Sequence, residues 1–216
     1  MLSDNHIQKL FNTQDHSRMI GSLADNGTTL PLALQSRLTQ PIAAAGLGLR
    51  RLVELTYGPT PLSRDMTAAL LEGQLEDGSF VGNSDRDPLA TAAALAGLAA
   101  VLREHHGMGE DRPDLTDALE RGLASLHPMQ MEDGLFCHGD DRTIEDRALT
   151  SVFVLFLLAR LPRFRESVRF ADLMTWFDER ADRLDDVTLE LYHMARLDDP
   201  ARQPMMAEPT LVDMAA

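Results

Sequence analysis

Leu71-Glu72-Gly73-Gln74-Leu75-Glu76-Asp77-Gly78-Ser79-Phe80 returns as His127-Pro128-Met129-Gln130-Met131-Glu132-Asp133-Gly134-Leu135-Phe136, an offset of 56 residues from Gln74 to Gln130. A long apolar run follows each copy, and Asp87-x3-Thr91-Ala92 matches Asp146-x3-Thr150-Ser151 after a three-residue slip. Each unit therefore reads as helix, Gln-x-x-Asp-Gly-x-Phe turn, loop and helix. Such a hairpin cannot bury its apolar faces alone and must stack on neighbours. The residues of the turn explain its recurrence. Asp-Gly makes a turn in which glycine takes positive φ, phenylalanine buries a ring, and the glutamine amide reaches the exposed backbone of an adjoining helix. Gln74, Asp77, Gly78, Phe80 and their counterparts Gln130, Asp133, Gly134 and Phe136 are thus read as structural.

Outward from the repeat, apolar residues recur at helical spacing and no stretch alternates like a strand. Ile7, Leu10, Phe11, Ile20 and Leu23 suggest one or two short N-terminal helices. Pro41 opens a helix through Leu55, and further helices are predicted at Pro61 to Gln74, Pro88 to His106, Asp114 to His127 and Ile144 to Leu161. A last pair is predicted over Arg165 to Arg183 and Val187 to Leu197. These elements give one helical domain over residues 1–197, with repeat units at about 61–106 and 113–161, and a flexible tail over 198–216 marked by three prolines. Two matched units with flanking pairs make about four hairpins. The most apolar stretch, Ala148 to Ala159, falls short of the roughly 20 residues that span a bilayer, so it is read as a core helix and no transmembrane segment is expected.

The motif Gln74-x-x-Asp77-Gly78-Ser79-Phe80, with Thr91-Ala92-Ala93-Ala94-Leu95 beyond it, resembles the repeat of squalene-hopene cyclases, other class II terpenoid cyclases and protein prenyltransferase β subunits. In those families Gln-x-x-Asp-Gly-x-Trp precedes a helix beginning Thr-Ala-x-Ala-Leu. The resemblance spans Thr67 to Leu161 and implies an all-α fold, an α/α toroid-like array. Phe80 and Phe136 replace the usual tryptophan, and about four hairpins stand where a closed toroid has about six. An incomplete ring, closed by self-association or by a protein partner, is the expectation.

Three groups of residues bear on chemistry. Asp85-Arg86-Asp87 lies near the position where, by the resemblance, class II cyclases carry Asp-x-Asp-Asp, the middle acid protonating an alkene. Here Pro88 takes the third acidic place, and Asp87-Pro88 reads better as an N-cap and first-turn proline. A cyclase also needs aromatic faces for its carbocations, and eight Phe, two Tyr and one Trp are few. Cys137-His138 offers thiolate and imidazole to zinc and resembles the Cys-His-Gly of lanthipeptide cyclases, but the second cysteine of that family is missing, so the pair is a weak candidate and no cofactor is expected. Arg160, Arg163, Arg165 and Arg169 form a basic cluster fit either to hold an anionic ligand or to pair with surface acids such as Glu166 and Asp172.

Composition narrows the class further. With 20 Lys and Arg against 34 Asp and Glu the net charge is −14, which disfavours nucleic acid as a partner. One cysteine leaves no internal disulfide, and no charged segment followed by an apolar one comes after Met1, so a cytoplasmic protein is expected. Lys9 is the one lysine among the basic residues, a bias that suggests a GC-rich bacterial gene. Two functions follow as expectations. One is a non-catalytic helical-repeat module that binds a protein partner or an apolar, isoprenoid-like small molecule on its concave face. The other is an enzyme acting on an isoprenoid or similar apolar substrate through Asp85 and Asp87.

Overall fold

The computed structural model of the chain describes residues 32–55, 59–82, 85–139, 141 and 143–197. The N-terminal helices expected around Ile7 to Leu23 and the tail from Asp198 lie outside the described residues. Among the described residues the chain is all-α, with nine α-helices, two 3-10 turns and no strand. The helices are α1 (Leu32–Leu38), α2 (Pro41–Leu55), α3 (Pro61–Gly73), α4 (Pro88–Gly107), α5 (Pro113–Leu126), α6 (Ile144–Leu158), α7 (Pro162–Ser167), α8 (Phe170–Asp178) and α9 (Asp186–Leu197). None of them is long and apolar enough to cross a membrane.

The helix starts follow from local chemistry. Prolines open α2, α3, α4, α5 and α7, where a missing N–H costs nothing. Thr60 with Ser63 and Thr143 with Asp146 form reciprocal capping boxes on α3 and α6. Asp87 caps α4 by accepting from the Leu89 N–H, as Asp-Pro predicts. Asp146 has a different role, at the third position of α6. The register of the repeat accordingly shifts. Thr91 Oγ1 accepts the Phe80 N–H at 3.0 Å and Ser151 Oγ accepts the Phe136 N–H at 2.8 Å, so Thr91 corresponds to Ser151 and the slip is four residues, not three.

Both turns are built alike. Gln74 Nε2 donates to the Gly78 carbonyl at 2.9 Å, and Gln130 Nε2 donates to the Gly134 carbonyl at 2.7 Å. Gly78 and Gly134 have φ of 88° and 84°, a region where a side chain is strained. Each glycine also touches backbone of a later helix. A Cβ on Gly78 would stand 2.3 Å from the Arg121 carbonyl oxygen of α5, and one on Gly134 2.6 Å from the Leu173 nitrogen of α8. The glutamines reach the same way, Gln74 to the Ala118 carbonyl of α5 and Gln130 Oε1 to the Arg169 N–H just before α8. Phe80 and Phe136 are fully buried.

That last bond explains one departure from the sequence prediction. The single helix expected from Arg165 to Arg183 is broken into α7, α8 and a 3-10 turn at Ala181–Arg183. Val168 is extended, and the Arg169 N–H that a continuous helix would bond internally goes instead to Gln130.

Helices α2, α4, α6 and α9 pack in succession, while α3 leans on α2 and α5 on α4. Arg37, four residues before the start of α2, meets Asp87 at the head of α4 and Thr150 in the second turn of α6, which brings the approach to α2 close to the heads of the other two helices. The contact of α2 with α4 is backbone-close, because Gly46 faces Ala93 and Gly97. From Pro88 to Val101 every residue of α4 is buried. At the far end, Phe177 stacks on Tyr192 at 4.9 Å and fixes α8 against α9.

Candidate functional site

Where the heads of α4 and α6 come together, three ionisable side chains are buried around Arg37. Arg37 Nη2 donates to Asp87 Oδ1 at 2.8 Å, and Nη1 donates to Asp141 Oδ1 at 3.0 Å and to Thr150 Oγ1 at 2.7 Å. His138 Nε2 stands 4.0 Å from Asp87 Oδ2. Side-chain exposure is 12% for Arg37, 3% for Asp87, 4% for Asp141 and 7% for His138. Burial this deep demands that each charge be partnered. Asp87 Oδ1 also holds the Leu89 N–H of α4, and Asp141 Oδ2 accepts the His138 N–H at 2.8 Å, closing the loop ahead of α6.

Arg37 therefore serves two buried carboxylates. The Asp141 carboxyl is pushed above the ordinary value by burial, against the opposing pull of the His138 N–H, of Arg37 and of the Thr150 hydroxyl. The neighbouring Cys137 thiol is also raised by burial, with Asp141 adding to the effect. A thiol held in its protonated form is a poor nucleophile and a poor zinc ligand.

The sequence-predicted residues separate accordingly. Asp85 and Asp87 lie in different surroundings, Asp85 exposed and Asp87 buried. Asp87 and His138, which belonged to two different candidate groups, meet in one site. The Cys137 sulfur points away, to the His138 carbonyl at 3.6 Å, and no group of three or more His, Cys, Asp or Glu suited to a metal ion occurs among the described residues. The basic cluster is largely drawn into internal contacts. Arg163 pairs with Glu120, Arg169 with Asp172 at 2.8 Å, and the Arg165 guanidinium lies 4.9 Å from the Phe170 ring centre. Arg160 is exposed at the end of the turn after α6. The eight turn-motif residues sit in the two turns as structural elements.

Sequence reasoning missed Arg37 and the hydroxyl of Thr150. Arg37 lies on a seven-residue helix, too short for periodicity to register. Asp141 stands in the run Cys137-His138-Gly139-Asp140-Asp141, whose thiolate, imidazole and carboxylate read as a zinc candidate, and its pairing with Arg37 is not visible there.

By its fold the chain is an all-α protein built on a twice-repeated helix–turn–helix unit. No family model, curated protein or solved structure matches it.

Proposed function

We propose that the chain is a non-catalytic helical-repeat module, arranged as an open sector of an α/α toroid of the terpenoid-cyclase type, that binds a protein partner or an apolar, isoprenoid-like ligand. The observation that carries this is the commitment of Asp87. Its Oδ1 caps α4 and accepts from Arg37, so the carboxylate is held as part of the fold. The successive packing of α2, α4 and α6 supports the toroid reading. Complete burial of α4 from Pro88 to Val101 favours the protein partner over a small apolar molecule in the interior, because that helix has no face left to offer one.

A second reading, an enzyme acting on an isoprenoid or similar substrate, is favoured by one contact. Asp87 Oδ2 faces the His138 imidazole at 4.0 Å inside a buried cluster, and carboxylate and imidazole are the groups that general acid–base catalysis uses. Incubation of the purified protein with isoprenoid diphosphates and polyenes, followed by mass spectrometry of the extract, separates the two. The non-catalytic reading expects no product. Product that disappears in Asp87→Asn, with far-UV circular dichroism unchanged, overturns it and establishes the enzyme. An apolar molecule released from the purified protein only on denaturation would identify ligand binding as the role.

A further inference from the structure

Helix α1 is short. Its seven residues contact α2 and α4, Leu34 and Leu38 are buried, and Arg37 supplies a long-range polar attachment. That one side chain reaches 50 residues along the chain to Asp87, 104 to Asp141 and 113 to Thr150. It thereby ties α1 to the first repeat unit through the head of α4 and to the second through the loop ahead of α6.

The groups facing Asp141 are Arg37 from α1, His138 from its own loop and Thr150 from α6. Asp87 at the head of α4 faces the same guanidinium. Arg147 of α6 lies towards Asp133, at 3.7 Å, and Arg86 ahead of α4 pairs with Asp77 at 2.8 Å, so neither neutralises the cluster. Among the described residues, Asp87 has the α4 cap, one arm of Arg37 and the His138 ring at 4.0 Å, and Asp141 has a share of the other arm, one backbone N–H and a hydroxyl. While the His138 ring carries no charge, one guanidinium between these two buried carboxylates leaves one negative charge over.

We propose that the Arg37–Asp87–Asp141–His138 cluster is a proton-operated clasp on α1, tightest when the cluster has taken up one proton and loosened when that proton leaves. The sign agrees with the direction at Asp141. A carboxyl whose folded-state value is raised contributes stability that is whole below its ordinary value of 3.8 and is lost as pH rises through the raised one. The interacting groups titrate as a unit, so the proton belongs to the cluster.

Hydrogen exchange of the intact chain, read by mass spectrometry from the ordinary carboxyl value of 3.8 upward to neutral pH and corrected for intrinsic rates, tests the clasp. Peptides covering residues 32–38 are compared with those of α4, which report global folding. In the wild type, protection of 32–38 relative to α4 should fall with rising pH, by up to about tenfold per pH unit within the titration window. Asp141→Asn keeps the side-chain shape and removes the excess charge. It should hold α1 at neutral pH as firmly as the wild type does at the acid end of the range, with a flat profile. Wild-type protection that does not change with pH, or an Asp141→Asn chain whose α1 is less protected than wild type across the range, would overturn the proposal.

Discussion

Arg37 shows how unequal the arginines of this protein are. Its guanidinium is buried between Asp87 and Asp141, whereas Arg163 meets Glu120 with both side chains about half exposed. Removing the one cation from two buried carboxylates leaves uncompensated charge, so Arg37→Met should cost about 3–5 kcal/mol in urea unfolding. Arg163→Ala, by contrast, should change stability by less than about 1 kcal/mol, since exposed pairs are screened and mobile. A large loss at Arg163 and none at Arg37 would reverse the assignment of these side chains. The same contrast explains what was legible in sequence. Asp87 was readable as a cap because capping is local, involving Pro88 and Leu89. Its pairing with Arg37 was not, because nothing local distinguishes Arg37 from its neighbours on so short a helix.

At the scale of elements, the prolines and the turn motif specify the helices well. Starts at Pro41, Pro61, Pro88 and Ile144 agree with expectation because proline at the first turn and Thr or Asp before it act within a few residues. The break between α7 and α8 was hidden, since it depends on Gln130 capturing the Arg169 N–H from 39 residues away. The α2–α4 contact was hidden for the same reason, although its glycines were visible. Gly97 and Gly107 both lie on α4 and differ only in surroundings. A Cβ on Gly97 would meet the Gly46 carbonyl oxygen at 2.5 Å, while one on Gly107 meets nothing within 4 Å. Gly97→Ala should therefore destabilise by about 2–3 kcal/mol through overpacking. Gly107→Ala should stabilise by about 0.5 kcal/mol, as alanine is the better helix former and loses less entropy. Thermal unfolding of the two variants compares them directly.

For the whole molecule, the apolar core runs continuously from Leu34 through the buried residues of α4 and α6 to Ala195. Repeat arrays unfold piecemeal when their units are weakly coupled, and as one when the core is shared. Phe80 belongs to the first turn, and Trp176 lies in α8 at the other end, so the two separate these cases. Phe80→Ala should cost about 3–5 kcal/mol, and the loss should appear equally in Trp176 fluorescence and in far-UV circular dichroism. If fluorescence keeps its wild-type midpoint while dichroism shifts, the units unfold separately. The all-α architecture was legible at this scale because a repeated helical hairpin has few ways to bury its faces. The candidate site was not, since it arises where residues 37, 87, 138, 141 and 150 converge and only the packed array brings them together.

The two turns carry one further consequence. Gln74 and Gly78 grip α5, and Gln130 and Gly134 grip the start of α8, so the long-range grip of each turn is on a helix that comes after it. The array is joined by one-way links, each a plug facing downstream into the next socket. A lesion in the second turn should free α8 and leave α5 seated, whereas a lesion in the first unseats the helix on which the second unit begins. Position along the chain, more than depth of burial, then ranks how far damage at a turn spreads.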